Sequence, residues 1–254
     1  MSQRFASKVV LVTGGGSGMG QAVAERVAGE GATVVIADRN KDQGDRVAAQ
    51  LRERGATALY VPTDVTVEED VANAVRVATD EFGRLDGAFN NVGAVMGFGP
   101  VPDSSTESWQ ADLAINLTSV YYGLKYQIPA IRQSGNGGAV INNASNLGVV
   151  GMAAVSGYVA AKHGVVGLTR AAALENAESG IRVNALVTGA VDTPLFRRTM
   201  GATDEGRQQI IDMLPVKRLA QPAEIAGFVA YLLSDEAGFI TGGALAIDGG
   251  ITAA

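Results

Sequence analysis

Apolar residues in this chain gather into short continuous runs, separated by longer stretches in which they recur every three or four positions. The runs are Val9–Val12, Thr33–Ala37, Ala58–Val61, Leu85–Phe89, Ala139–Ala144, Ile181–Leu186 and Ala244–Asp248. Val9–Val12 is too continuous for a strand with one wet face and suits the centre of a parallel sheet. Between the runs the spacing predicts helices over Gln21–Glu30, Asn40–Arg54, Val67–Phe82, about Ser105–Gln133, about Ala153–Leu174 and Gln221–Leu233. The last opens on Gln221-Pro-Ala-Glu224, a capped start with Pro in its first turn. Strand and helix alternate throughout, the βαβ rhythm of a doubly wound α/β sheet. No polar linker, repeat or low-complexity stretch interrupts the series, so one domain over residues 1–254 is expected. A mixed, charged segment at about 193–214 breaks the rhythm and reads as a lid.

The first run leads into Thr13-Gly-Gly-Gly-Ser-Gly-Met-Gly20 and then a helix. Glycines let a backbone turn sharply and approach a ligand, and the free N–H groups of a helix start attract a pyrophosphate. Buried strand, glycine loop and helix in that order predict dinucleotide binding. The second run ends in Asp38, eighteen residues past Gly20, where such folds place an acid on the adenosine ribose. A carboxylate there accepts from both ribose hydroxyls and repels a 2′-phosphate, which favours NAD over NADP. Arg39 beside it is suited to pairing with that phosphate, and Asp38 also reads as a cap for the next helix.

Ser145–Lys162 carries the candidate chemistry. Tyr158 and Lys162 are four apart in an Ala- and Val-rich segment, so on a helix they share one face. A free phenol ionises near pH ~10, and a neighbouring ammonium is expected to lower that value. Ser145 ends an apolar run, where its hydroxyl can meet the same substrate oxygen. Asn116, on the apolar face of the long helix, reads equally as a group satisfying buried backbone. Asn90-Asn-Val-Gly93 follows the fourth run and can present backbone to the middle of a cofactor.

Composition narrows the field. A net charge of −6 argues against nucleic-acid and anionic-membrane partners, which call for clustered Lys and Arg. Zero cysteines and a single histidine, His163, exclude disulfides and thiolate sites and make a metal site improbable, so none is expected. His163 lies about 100° around the helix from Lys162 and reads as packing or interface. No signal segment or long apolar span is present, and a soluble cytoplasmic protein is expected.

Taken together, these residues resemble the short-chain dehydrogenase/reductase family over nearly the whole chain. Thr13–Gly20 is similar to its TGxxxGxG loop, Asn90–Gly93 to its NNAG motif, and Asn116 to its helix asparagine. Ser145 stands thirteen residues before Tyr158, as in the family, and Tyr158-Val-Ala-Ala-Lys162 matches YxxxK. The resemblance implies a single-domain Rossmann fold with a seven-stranded parallel sheet, a cofactor half at about 1–140 and a catalytic and substrate half at about 141–254. It implies hydride transfer between a nicotinamide and an alcohol or ketone carbon. Tyr158 would exchange the proton, Ser145 bond the substrate oxygen, Lys162 bind the nicotinamide ribose, and Asn116 support a water. Cofactor contacts would come from Gly14, Gly16, Ser17, Gly18, Met19, Gly20, Asp38 and Arg39. Asp64 and Val65 would lie by the adenine, Asn91 and Gly93 by the adjacent ribose, and Val191 and Thr193 by the carboxamide. Two positions depart: Val92 replaces an alanine, and Thr188 replaces the proline before Gly189, which frees that loop.

The segments Ala94–Phe98, Leu147–Met152 and Leu195–Met213 are candidate pocket walls, mostly apolar. They fit a small apolar secondary alcohol or ketone, open-chain or cyclic, while Arg197 and Arg198 offer a carboxylate partner instead. The multiply apolar helix at about Ala153–Leu174, with charged residues at only 18%, suggests a subunit interface, and the family resemblance implies a homotetramer. Alternative readings are an NADP-dependent ketoreductase, an NAD-binding sensor or scaffold without turnover, and nucleotide-sugar epimerase or dehydratase chemistry. Intact Tyr158 and Lys162 weigh against the sensor, and the short stretch after Thr193 against the epimerase.

Overall fold

The computed structural model describes residues 3–253. Seven strands form one sheet in the order β3-β2-β1-β4-β5-β6-β7. They are β1 Val9–Thr13, β2 Thr33–Asp38, β3 Ala58–Pro62, β4 Gly87–Asn90, β5 Gly138–Asn143, β6 Ile181–Thr188 and β7 Ala244–Ile247. All six pairings are parallel, and the β1 register pairs Val10 with Val34 on one side and with Gly87 on the other.

Side-chain alternation along the strands feeds two cores. Val10, Val12, Ile36, Phe89 and Ile141 face one side, with α1 Gly18–Gly29, α2 Lys41–Glu53 and α9 Pro222–Leu233. Leu11, Val35 and Val140 face the other, with α3 Glu68–Phe82, α5 Ser119–Ser134 and α6 Ser156–Asn176. Such residues each stabilise the fold by about 1.5–3 kcal/mol, and covering both faces explains why the strands read as continuous apolar runs. α9 starts as expected: the Gln221 N–H donates to Glu224 Oε2 at 2.8 Å, with Pro222 in the first turn.

The long helix is unbroken but not uniformly α-helical. α4 Thr106–Leu113 passes through a π-helical turn, Ala114–Thr118, before α5. Asn116 lies in that turn, fully buried. The segment after β6 folds into two short helices, α7 Pro194–Arg198 and α8 Asp204–Met213, around a small core of Phe196, Leu214 and Leu219. Its mixed sequence hid this helical content because the apolar positions serve a separate local cluster.

Doubly wound sheets place their loops for binding at the carboxyl ends of the strands, where the order reverses between β1 and β4. The glycine loop, Asn91, Ser145 and Val191 all follow such ends. At the opposite edge lies a broad open groove bounded by Lys8, Arg84, Asp86, Asn136 and Arg182.

Candidate active site

Three hydrogen bonds fix the glycine loop. Gly16 N donates to Asp38 Oδ2 at 2.9 Å, Arg46 Nη2 to the Gly16 carbonyl at 3.1 Å, and Gly14 N to the Ala37 carbonyl at 2.8 Å. Gly14 and Gly18 have φ of 63° and 56°, which disfavours any side chain. A Cβ at Gly20 would lie 2.2 Å from the Gly14 carbonyl oxygen. Ser17 precedes α1 in an extended conformation, Met19 packs against the core, and the first turn of α1 carries no acidic residue. Its N–H groups and dipole therefore remain available to an anion.

Asp38 is not the cap of α2. That role belongs to Asn40, whose side chain accepts from Gln43 N at 3.0 Å. Asp38 instead bonds Gly16 N, and its Oδ1 accepts from Asn40 N at 2.9 Å. Arg39 is exposed and its charge acts on Asp64, whose carboxyl is held below its ordinary range, chiefly by Thr66. Val65 beside it is buried.

Asn91 links the strands at the order reversal. Its N–H donates to Thr13 Oγ1 at 2.9 Å and its Nδ2 to the Thr13 carbonyl at 3.1 Å. Its Oδ1 is buried without a hydrogen-bond partner. A buried acceptor left unpaired is costly, and one beside a glycine cradle fits the hydroxyls of a nucleotide ribose.

Ser145 follows β5; its Oγ accepts from Leu147 N and donates to Asn146 Oδ1, both at 3.1 Å. Lys162 is 1% exposed and its Nζ donates to the Asn143 carbonyl at 2.7 Å. That Nζ sits 5.5 Å from the centre of the Tyr158 ring, so the two residues do share one helix face. Burial pulls the Lys162 pKa down to about 7. The Tyr158 phenol moves the other way from the expectation: burial raises its pKa, Ser145 opposes the rise, and the Asp112 charge adds to it. Desolvation of the phenol is the largest of the three influences and sets the direction.

Asn116 clamps the loop after β4. Its Oδ1 accepts from Ala94 N at 3.0 Å, and its Nδ2 donates to the Ala94 carbonyl at 2.7 Å and the Asp112 carbonyl at 3.0 Å. Gly93 permits this packing, since a Cβ there would lie 2.8 Å from Asn116 Oδ1 and 3.0 Å from Lys162 Nζ. Thr188, in the place of the family proline, donates to Asn143 Oδ1 at 3.3 Å, and Asn143 Nδ2 reaches the Asn91 carbonyl at 3.4 Å. Asn143 thus joins β4, β5, β6 and Lys162, a role that its place in an apolar run concealed.

Val191 is buried, and Thr193 caps α7 with its Oγ1 accepting from Phe196 N at 3.1 Å. Thr193 borders the phosphate loop: a Cβ at Gly18 would meet its Cγ2 at 3.3 Å. Arg197 is already engaged with Asp192, at 2.8 and 3.1 Å, whereas Arg198 is exposed. Met96, Phe98, Val149, Met152 and Leu195, on the three segments expected to wall the pocket, are exposed. His163 is exposed on α6. Among the described residues no His, Asp and Glu cluster is arranged for a metal, and no helix is long and apolar enough to cross a membrane.

A parallel doubly wound sheet, a glycine cradle at its order reversal and a half-buried Tyr158 beside the buried Ser145 and Lys162 define a nicotinamide-dependent oxidoreductase. Comparison with known proteins agrees. A family model described as Enoyl-(Acyl carrier protein) reductase matches residues 14–252. Cyclohexanol dehydrogenase of Acinetobacter sp. (strain SE19) is 41% identical over 252 residues, covering 99% of this chain and 98% of that protein. Cis-4-hydroxycyclohexanecarboxylate dehydrogenase of Sinomonas cyclohexanicum is 43% identical over 253 residues, covering 100% of both. The crystal structure of levodione reductase superposes with a TM-score of 0.94 at 39% identity, covering 98% of this chain and 99% of that one. The chain belongs to the short-chain dehydrogenase/reductase family.

Proposed function

We propose that the protein interconverts small apolar cyclic secondary alcohols and their ketones with NAD, using Tyr158 as the group that takes or gives the proton. The observation that carries this reading is the meeting of Ser145, Tyr158 and Lys162, with exposed apolar side chains on the segments expected to wall the pocket. Two relatives named for cyclohexane alcohols support the ring-shaped substrate.

In this reading Gly14, Gly16, Ser17, Gly18, Met19 and Gly20 hold the pyrophosphate of the cofactor. Asp38, with Arg39 beside it, holds the adenosine ribose and selects NAD by repelling a 2′-phosphate. Asp64 and Val65 flank the adenine, the free Oδ1 of Asn91 and the Gly93 backbone take a ribose, and Val191 and Thr193 meet the carboxamide. When bound, the nicotinamide supplies the site that accepts or returns the hydride.

The side chains do the rest. Ser145 Oγ donates to the substrate oxygen and fixes it within reach of Tyr158 Oη, which accepts the alcohol proton in oxidation and returns one in reduction. Lys162 favours the phenolate when protonated and binds the nicotinamide ribose. Asn116 keeps the 93–96 loop against the site. Those apolar walls exclude water and strengthen each of these interactions, and a positioned proton carrier contributes typically ~10²–10⁴-fold.

The chain acts as one domain over 1–254, as a cytoplasmic homotetramer; Leu174, 84% exposed on α6, supports burial of that surface by another subunit. Tyr158→Phe tests the core of the proposal. Turnover of a panel of cyclic and open-chain secondary alcohols, followed by NADH absorbance, is expected to vanish while NAD binding by calorimetry persists. Full activity in that variant overturns the assignment of the proton to Tyr158.

A further inference from the structure

One buried acid beside the site has no part in the reaction as described. Asp112 is 2% exposed on α4, one helical turn before Asn116. Its Oδ1 accepts from Met96 N at 3.0 Å and from Asn116 Nδ2 at 3.4 Å. Its Oδ2 faces the first turn of α6, where a Cβ at Gly157 would come within 2.7 Å of it. Glycine at 157 is therefore what admits the carboxyl next to Tyr158. A water-sized cavity bordered by Ser104, Ser108, Trp109, Ser156 and the carboxyl itself is polar enough to take a solvent molecule and exchange protons with it.

The surroundings leave this carboxyl without a cation. Loop 93–99 carries no titratable residue. In the first two turns of α6 the titratable groups are Tyr158, Lys162 and the exposed His163. Lys162 is bonded to Asn143. Asp103 and Glu107, on the chain entering and opening α4, are exposed.

We propose, on the reading of Tyr158 given above, that Asp112 is a positioning residue for proton transfer, acting through Asn116 and Gly157 on either side and through the field its carboxylate casts on Tyr158. A like charge nearby disfavours the phenolate, so the ionised carboxylate keeps Tyr158 protonated to higher pH and tilts the enzyme at neutrality towards proton donation. Burial raises the pKa of Asp112 against the Met96 bond, and Asp112 in turn raises that of Tyr158.

The test is Asp112→Asn in the full-length protein, which keeps shape and an acceptor but removes charge. The pH profile of kcat/KM for cyclohexanol oxidation at saturating NAD is expected to rise at lower pH than in the wild type, by roughly half a unit to one unit. Asp112→Ala, which frees Met96, is expected to raise KM several-fold as well. Superimposable profiles for Asp112→Asn and wild type overturn the proposal. If Tyr158→Phe is inactive and the profiles still coincide, only Asp112 is refuted; if Tyr158→Phe turns over normally, the catalytic reading itself fails. Ultraviolet difference titration against Tyr158→Phe reads the phenolate of Tyr158 without turnover. A midpoint unmoved by Asp112→Asn, or no Tyr158 titration at all, also overturns it.

Discussion

The Lys162 ammonium is anchored to the carbonyl of Asn143 at 2.7 Å, and this bond leaves its nitrogen 5.5 Å from the centre of the Tyr158 ring. Tyrosine and lysine are therefore neighbours whose spacing is set by a third residue on β5.

That arrangement makes a pH-dependent stability. Burial lowers the Lys162 pKa from 10.5 to about 7. Between those values the unfolded chain carries a proton that the folded chain has released, so folding is favoured as pH rises. Below about 7 the buried charge is a constant penalty. Urea unfolding of wild type and Lys162→Met is expected to show the difference moving in favour of wild type, by at most about 1.4 kcal/mol per pH unit. A difference flat from pH 7 to 10 would show that the ammonium stays charged inside the protein.

Asp38 ties cofactor choice to loop geometry, because the carboxylate expected to repel a 2′-phosphate also holds Gly16 N at 2.9 Å. Asp38→Ala is expected to reduce kcat/KM with NAD by about ten-fold or more and to improve it with NADP. Like charges 4 Å apart at an effective dielectric of 20 repel by about 4 kcal/mol, which is ample for that change. An unaltered NAD to NADP ratio in parallel kinetics would transfer the selection to Arg39 or another group.

Asp192 ties down the segment proposed as a lid, bonding Arg197 and Arg207 from it. Arg197 and Arg207 hold its pKa down at about 2, the Arg197 hydrogen bond contributing most. Because the folded value is depressed from 3.8, the contribution to stability is present above that value and lost as pH falls towards 2. Asp192→Asn is expected to raise KM for the alcohol several-fold and to speed cleavage within 194–213 in limited proteolysis. Its thermal stability should trail the wild type equally from neutrality to about pH 4 and converge with it below. Equal proteolysis rates would mean that Phe196, Leu214 and Leu219 hold the lid unaided.

Much of this was legible in the sequence because double burial writes an unambiguous signal: Val9–Val12 and Val34–Ala37 are apolar throughout, and both lie in strands. Glycines were equally legible where sterics forbid alternatives, as at Gly14 and Gly20. Tertiary signals were not. The π-helical turn around Asn116 follows from bonds to Ala94, twenty-two residues away. Asp112 carries no signal of its own in the sequence beyond its i, i+4 relation to Asn116. The sense of the Tyr158 shift needed the burial of the phenol itself, since spacing shows that two groups meet and not how dry the meeting place is.

The polarity of the sheet also decides how the molecule can be handled. Everything assigned to chemistry lies at the carboxyl ends of the strands, while Asn136 is exposed at the opposite edge. The sequence contains no cysteine. One thiol introduced at Asn136 would be unique in each subunit, so a dye attached there would label the face away from the cleft and leave the chemistry untouched.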